Sequence, residues 1–443
     1  HDMTQGKILL PLVSFTIPLV LGNLFQLTYN AADSVIVGKY VGEQALAAVG
    51  TSTPIMNIAI LLISGMCMGA SVLMSSQYGA KDYDTLSRQI STTMLAGCGF
   101  SVVFSLLMLL LANPVLRLIR VPETAIPEAA AYLRIIFMGL IFTFMYNFLA
   151  NTMRALGDSK TPLYFLVTSA FLNIFGDLFF VVVLRWGVAG SAIATVCSEG
   201  LCCLLCGIYI KKKIPLLCLG KKWWVFDKSL LGKTVSYGST SAMQQVCLQL
   251  GKLIIQSVVN TQGVAVMAAF TAVNRVDDFA YTPQQNIGHA MTTFLAQNKG
   301  AGHKERMKKG FQTGLLIELV YSIGLFCVIW GLAPQIMTLF AEDGDAQVVS
   351  LGISYLHLIS WMYILPGLTN GVQGFFRGIG DLKVTLYSTF MNMFGRVVAV
   401  FVMIRLLQME FASLAWANMV GWIVMLLFEV PLLVKSMRNG ECG

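Results

Sequence analysis

The sequence predicts an all-α polytopic membrane protein, with twelve transmembrane helices in two pseudo-symmetric six-helix lobes around a central cleft. Three observations predict it. Only 12% of the 443 residues are charged, while 56% are apolar; soluble domains carry about 25% charge. Apolar runs of about 18 residues or more recur along the whole chain, each long enough to cross a hydrocarbon core of about 30 Å. The second half also repeats the first.

The spans are expected at 10–37, 51–78, 89–112, 130–152, 161–184, 189–210, 234–260, 266–296, 309–333, 347–371, 383–405 and 411–436. The repeat is read from paired motifs. Arg154-Ala-Leu-Gly-Asp158-Ser-Lys160, after the fourth span, is echoed by Arg377-Gly-Ile-Gly-Asp381-Leu-Lys383 after the tenth. Asn173-Ile-Phe-Gly176 is echoed by Asn392-Met-Phe-Gly395, and Ser191-Ala-Ile-Ala194 by Ser413-Leu-Ala-Trp416. The expected domains are therefore an N-lobe, 1–210, an inter-lobe loop, 211–233, and a C-lobe, 234–443. An even number of spans per half gives both halves the same orientation, with a cleft between them that opens to alternate sides.

Charge sets the orientation. With a cytoplasmic N-terminus, about 21 of the 30 Lys and Arg fall in or beside cytoplasmic loops, which is the positive-inside distribution. Loop 211–233 holds Lys211, Lys212, Lys213, Lys221, Lys222, Lys228 and Lys233, with Trp223 and Trp224 expected at the interface; the outward loop after the ninth span carries Glu342, Asp343 and Asp345. Both termini are expected in the cytoplasm. Because the basic residues alternate between loops, the net charge of +8 reads as topology and argues against nucleic-acid binding. The cysteines lie mostly in apolar runs and no Cys/His spacing suits zinc, so no cofactor and no disulfide framework are expected. The first apolar segment is too long and too polar for a cleavable signal peptide, and His1 and Asp2 precede Met3, the expected native start.

The first span carries Asn23, Gln26, Asn30 and Asp33 at spacings that put them on one helix face. An acid inside a membrane faces a bundle interior or a wet cavity, because exposure to lipid costs about 2.5–3.5 kcal/mol. The seventh span has a matching stripe, Ser241, Gln245, Gln249, Lys252 and Gln256. Asn23, Gln26, Tyr29, Asn30, Asn147, Asn151, Gln245 and Gln249 are the expected cleft lining. Asp33 and Asp177, the latter one turn after Asn173, break the symmetry, since Ile255 and Arg396 hold the equivalent positions. The residues leave three roles open for these acids. They could carry a proton, hold Na⁺ together with Asn173 and Thr195, or pair with a buried base for structure alone. Arg275, Asp277 and Asp278 cluster in the eighth span, while Glu199, Glu318, Arg396 and Glu429 are further intramembrane charges without an assigned role. Pro18 weakens the first helix about four turns before Asp33 and marks a place where it can bend.

These segments together resemble the multidrug and toxic compound extrusion (MATE) family. The resemblance covers the chain and rests on Ala32-Asp33-Ser-Val-Ile-Val-Gly38, Ala45-Leu-Ala-Ala-Val-Gly50, the segment 154–162, Leu172-Asn173-Ile-Phe-Gly-Asp177 and Gly190-Ser-Ala-Ile-Ala-Thr195. It implies a bacterial inner-membrane antiporter that exports cationic amphiphilic drugs in exchange for inward H⁺ or Na⁺. Such a carrier would work in the bilayer as a monomer. The DinF-like branch implies a cation-coupling site at Asp33, Asn173, Asp177 and Thr195, with Pro18 as the bending point of the first helix. The NorM-like branch places acids where this chain has Gln244 or Gln245 and Asn370, so coupling is expected in the N-lobe. The alternative within the wider superfamily is a flippase for a lipid-linked precursor, which the scarcity of cleft arginines disfavours. No nucleophile–base or metal-ligand spacing supports an enzyme.

Overall fold

A chain in lipid must satisfy its backbone polar groups within itself, and a helix does so locally. The computed structural model describes residues 2–213, 225–341 and 346–440, and these form twelve helical rods. The first three are α1 (Leu9–Tyr40), α2 (Glu43–Gly79) and α3 (Tyr83–Leu118). The fourth is bent by 47° at Gly139, between α4 (Ile126–Met138) and α5 (Leu140–Ala155). The fifth is α6 (Lys160–Asp177), prolonged by a π-helical stretch, Leu178–Val183, and the sixth is α7 (Val188–Lys213).

The second six begin with α8 (Lys228–Val259), α9 (Val264–Ala301) and α10 (Lys304–Phe340). Helix α10 breaks at Leu332, two residues ahead of Pro334, whose ring and missing N–H disrupt the ladder. A 3₁₀ turn, Trp361–Tyr363, joins α11 (Ala346–Ser360) to α12 (Ile364–Gly378). Helix α13 (Leu382–Phe401) is prolonged by a π-helical stretch, Val402–Leu406, and α14 (Ser413–Arg438) completes the set. Among the described residues ten rods, with α4–α5 counted as one, are long and apolar enough to cross a membrane. Helices α8 and α9 have the length but carry the polar stripe from Ser241 to Gln256 and the Arg275–Asp278 cluster.

The helices overrun the expected spans at several ends, because their polar last turns lie beyond the apolar run that marks a span. Arg377 is the sharpest case. It counts with the loop cations in the sequence, yet it lies in the last turn of α12 and is 4% exposed. Lys221, Lys222, Trp223, Trp224, Glu342, Asp343 and Asp345 lie outside the described residues.

The internal repeat is written in the backbone. Eight of the positive-φ residues fall in four equivalent pairs: Gly42 and Gly263, Lys81 and Gly302, Gly157 and Gly380, Arg185 and Gln408. The fifth and eleventh rods, whose motifs match, are also the two that end in π-helix. The Arg154–Lys160 motif is a turn and a cap. Gly157 takes φ +85°, and Asp158 accepts from the Thr161 amide at 3.1 Å and its hydroxyl at 2.7 Å.

By contacts the chain forms two units, Leu21–Ala242 and Asp2–Val20 with Met243–Gly443. Helices α1 and α8 each contribute to both. In the first unit, α2 packs on α5 and α6 on α7 over a core that includes Ile63, Met74, Phe137 and Phe148. The start of α8 is tied to α3: Gln89 donates to the Thr234 hydroxyl at 2.6 Å, and Arg88 pairs with Asp227 at 3.0 Å. The Ser229 hydroxyl foremost, and Arg88 less, hold the Asp227 carboxyl below its ordinary range. This contact therefore stabilises the fold above the unfolded carboxylate pKa, and the stabilisation is lost as pH falls through the depressed value.

In the second unit, α9 packs on α10 and α12, and α13 on α14, over Phe294, Phe311, Tyr355, Tyr363 and Trp422. Leu12, Phe15 and Leu19 of α1 join this core. The N-terminal segment is pinned there by polar contacts: the Met3 amide donates to Gln297 Oε1 at 3.0 Å, and Arg306 donates to the carbonyls of Met3, Gln5 and Gly6.

Helix α2 meets the start of α8 at Gly69, where an added Cβ would stand 2.4 Å from the Tyr237 carbonyl oxygen. Gly69→Val is expected to destabilise the protein by about 1–3 kcal/mol, because backbone cannot yield as a side chain can. Gly99→Ala, with nothing within 4 Å, is expected to be neutral or stabilising, since alanine is the better helix former. Thermal unfolding in detergent checks both.

Candidate functional site

Close packing of α6 on α7 builds the site in the first unit. Gly176 stands against Ala194, with only 2.9 Å available between an added Cβ and the alanine Cβ. That approach sets Asp177 of α6 beside the Ser191 hydroxyl of α7; Asn173 is one turn before Asp177 and Thr195 one turn after Ser191. Asp177 is fully buried and Asn173 is 6% exposed. The π-helical stretch begins at the residue after Asp177, an irregularity common at functional positions.

Asp33, half-buried on α1, faces Asp177, which also lies beside the Ser191 hydroxyl. Neither Asp177 oxygen has a well-formed hydrogen bond, and the same is true of Asp33 Oδ1, Asn173 Oδ1 and Ser191 Oγ, all of them buried. Thr195 donates to the Ser191 carbonyl at 3.1 Å. The result is a cluster of buried oxygen atoms that includes two carboxyls, and among the described residues no Lys or Arg forms an ion pair with either. Two facing carboxylates repel in a low-dielectric setting, and one proton or one hard cation between them removes the repulsion. The geometry suits H⁺ or Na⁺. Among the described residues, no three His, Cys, Asp or Glu side chains cluster as metal ligands.

The sequence did not single out the surroundings of this pair. Tyr132 of α4, buried, lies within the electrostatic reach of Asp33, Asp177 and Glu199. Glu199 of α7 accepts from the Thr143 hydroxyl at 2.6 Å. Glu199 is one turn past Thr195 on the same helix, and that spacing was the available signal.

The remaining expected residues are placed as follows. Tyr29 is half-buried beside Gln26, while Asn23, Gln26 and Asn30 are exposed. Asn147 and Asn151 are half-buried on α5, donating to the carbonyls one turn back, at Thr143 and Asn147. Pro18 is buried and α1 runs unbroken through it; the chain passes from the second unit to the first between Val20 and Leu21.

Gln245 and Gln249 belong to the second unit, and each lines a cavity there. Gln245 lines one of ≈ 150 Å³ and Gln249 one of ≈ 370 Å³; Lys252, Tyr281 and Arg396 stand in both walls. Asp277 lines the larger cavity and accepts from the hydroxyls of Tyr363 and, at 3.5 Å, Tyr355. The sequence placed Asp277 only in a charged cluster, because its tyrosine partners come from the tenth rod.

The comparisons with known proteins agree with this architecture. The MatE family model matches residues 18–179 and again 241–402, one match in each half of the repeat. The probable multidrug resistance protein YpnP of Bacillus subtilis is 32% identical over 87% of this chain and 86% of its own length. The probable multidrug resistance protein NorM of Thermotoga maritima is 23% identical over 93% and 89%. A MATE crystal structure in complex with MaL6 has TM-score 0.93 at 20% identity, covering 100% of this chain and 99% of that one. A MATE structure in the straight conformation has TM-score 0.92 at 21% identity, with the same coverage. The class is a twelve-span membrane transporter and not an enzyme. The chain belongs to the MATE family.

Asp177→Asn replaces one of two facing carboxyls with an amide that can donate to Asp33. At alkaline pH its stability is expected to equal or exceed that of the parent, by up to about 3 kcal/mol. A lower unfolding midpoint would show that the two carboxyls do not oppose each other.

Proposed function

We propose that this protein is an antiporter that exports cationic amphiphilic compounds from a bacterial cell in exchange for inward H⁺, or Na⁺ in its place. The observation that carries the proposal is the buried oxygen cluster in which Asp33 faces Asp177 and neither Asp177 oxygen has a well-formed hydrogen bond. An acid placed this way inside a membrane protein marks an ion or proton pathway by default. The names of the relatives, multidrug resistance proteins, support the substrate class.

In the proposed cycle, a proton arriving from outside is shared by Asp33 and Asp177, and the neutralised pair releases the substrate cation. Protonation favours a bent α1, with Pro18 as the point of bending, and the two lobes change access. The proton then leaves to the cytoplasm and the ionised pair takes the next cation. Both termini are cytoplasmic in this scheme, the protein resides in the inner membrane as a monomer, and no cofactor is required.

Energetics set the stoichiometry to look for. One proton exchanged for one monovalent cation moves no net charge, so only the pH gradient drives it, at about 1.4 kcal/mol per pH unit. A second proton adds the membrane potential, about 2.3 kcal/mol per 100 mV. One observation favours a second reading, the flipping of a lipid-linked anionic precursor: Arg377 and Arg396 both line the ≈ 150 Å³ cavity of the second unit.

Inverted vesicles with H⁺ and Na⁺ gradients imposed separately test the proposal. Efflux of a fluorescent organic cation is expected to follow the pH gradient and to fall to background in Asp33→Asn and Asp177→Asn, with expression intact. Full activity in either variant would contradict the coupling role. Activity that requires Na⁺ and ignores the pH gradient would assign the site to sodium.

A further inference from the structure

Arg396 sits deep in the second unit, 8% exposed, on the same helix face as Asn392. Its guanidinium lies over the Trp422 ring, 5.3 Å from the centroid, a placement that supports a cation from one side. Helix α14 comes close enough for this because Gly421 is there; an added Cβ would stand 2.4 Å from Asn392 Oδ1. A guanidinium carries five N–H donors. Arg396 uses one, from Nη2 to Asn392 Oδ1 at a long 3.5 Å, and its buried Nε has no partner. Among the described residues no carboxylate lies within ion-pair distance of it. A buried base that forms no ion pair is expensive to keep and marks a place where something anionic is recognised.

The surroundings fit that reading. The ≈ 150 Å³ cavity has Lys252, His289, Arg377 and Arg396 in its wall and no acid. Glu429 lies within electrostatic reach of Arg377 and beside the side chains of Ser388 and Gln373. The adjoining ≈ 370 Å³ cavity includes Asp277 and Asp278, and Asp277 lies within electrostatic reach of Arg396 and Lys252 without forming an ion pair with either. Asp277 takes its donors from Tyr363 and Tyr355, and Tyr355 is held in turn by Asn418 at 2.7 Å. The smaller cavity thus has bases and no acid in its wall, while the larger has Lys252 and Arg396 together with the two aspartates.

We propose that the C-terminal unit contains a binding site for an oxyanion, carboxylate or phosphate, centred on Arg396 and backed by Arg377 and Lys252. The ligand is a zwitterionic or anionic amphiphile whose anionic end meets Arg396 while its body occupies the larger cavity. The site is independent of ion coupling. Its failure would leave the efflux reading in place, because binding is read with no gradient imposed.

Calorimetric titration of the purified full-length protein tests it, with three probes on one scaffold: 2-naphthoate, 2-naphthamide and 2-naphthylmethylammonium. Naphthoate is expected to bind at least about tenfold more tightly than the amide. Arg396→Gln is expected to abolish that preference, and Arg396→Lys to retain part of it. Equal binding of naphthoate and naphthamide by the parent protein overturns the proposal. So does a preference that survives in monodisperse Arg396→Gln; where that variant does not fold, the parent comparison and Arg396→Lys decide. Two competition arms identify the source of the anion. Displacement of naphthoate by phosphatidylglycerol in the micelle assigns the site to a lipid headgroup, and displacement by inorganic phosphate alone assigns it to a soluble anion.

Discussion

The pair of carboxyls formed by Asp33 and Asp177 is the constraint on which the N-terminal unit depends. Both belong to a cluster of buried oxygens, and neither Asp177 oxygen has a well-formed hydrogen bond. Such an arrangement is costly unless something positive compensates it, and the proposed function rests on that cost. The packing serves it: Gly176 brings α6 onto α7, the π-helical stretch follows Asp177 directly, and Tyr132 closes on the pair from α4.

The duplication gives the two units the same backbone and opposite chemistry. The paired positive-φ residues and the two π-helical endings show how faithfully the scaffold was kept. At one register of the repeated helix, Asn173 is followed one turn later by Asp177; at the equivalent register Asn392 is followed by Arg396. A buried acid in one unit and a buried base in the other are two results of one substitution in a repeated frame. As proposed above, the N-terminal position is assigned to cations and the C-terminal one to anions.

Much of this was legible in the sequence. Twelve rods follow from the apolar runs, and the repeat from the matched motifs. Of the first-unit candidates, Asp33 and Asp177 face each other, and helical spacing puts Asn173 on the same face as Asp177. Other features were hidden for physical reasons. Arg377 looked like a loop cation because hydropathy cannot tell a helix's last buried turn from the loop after it. The tyrosine partners of Asp277 lie on another rod, some eighty residues away in sequence, and spacing within one helix carries no information about them. The division of α1 and α8 between the two units was equally invisible, since it depends on side-chain contacts such as Arg306 to the N-terminal carbonyls.

Infrared difference spectroscopy on the carboxyl C=O stretch tests the central claim most directly. If Asp33 and Asp177 share one proton, the resting protein has a protonated-carboxyl band that shifts in D₂O and disappears in both Asp33→Asn and Asp177→Asn. A band that survives either substitution unchanged would mean that the two acids ionise independently, and the account of the site would fail.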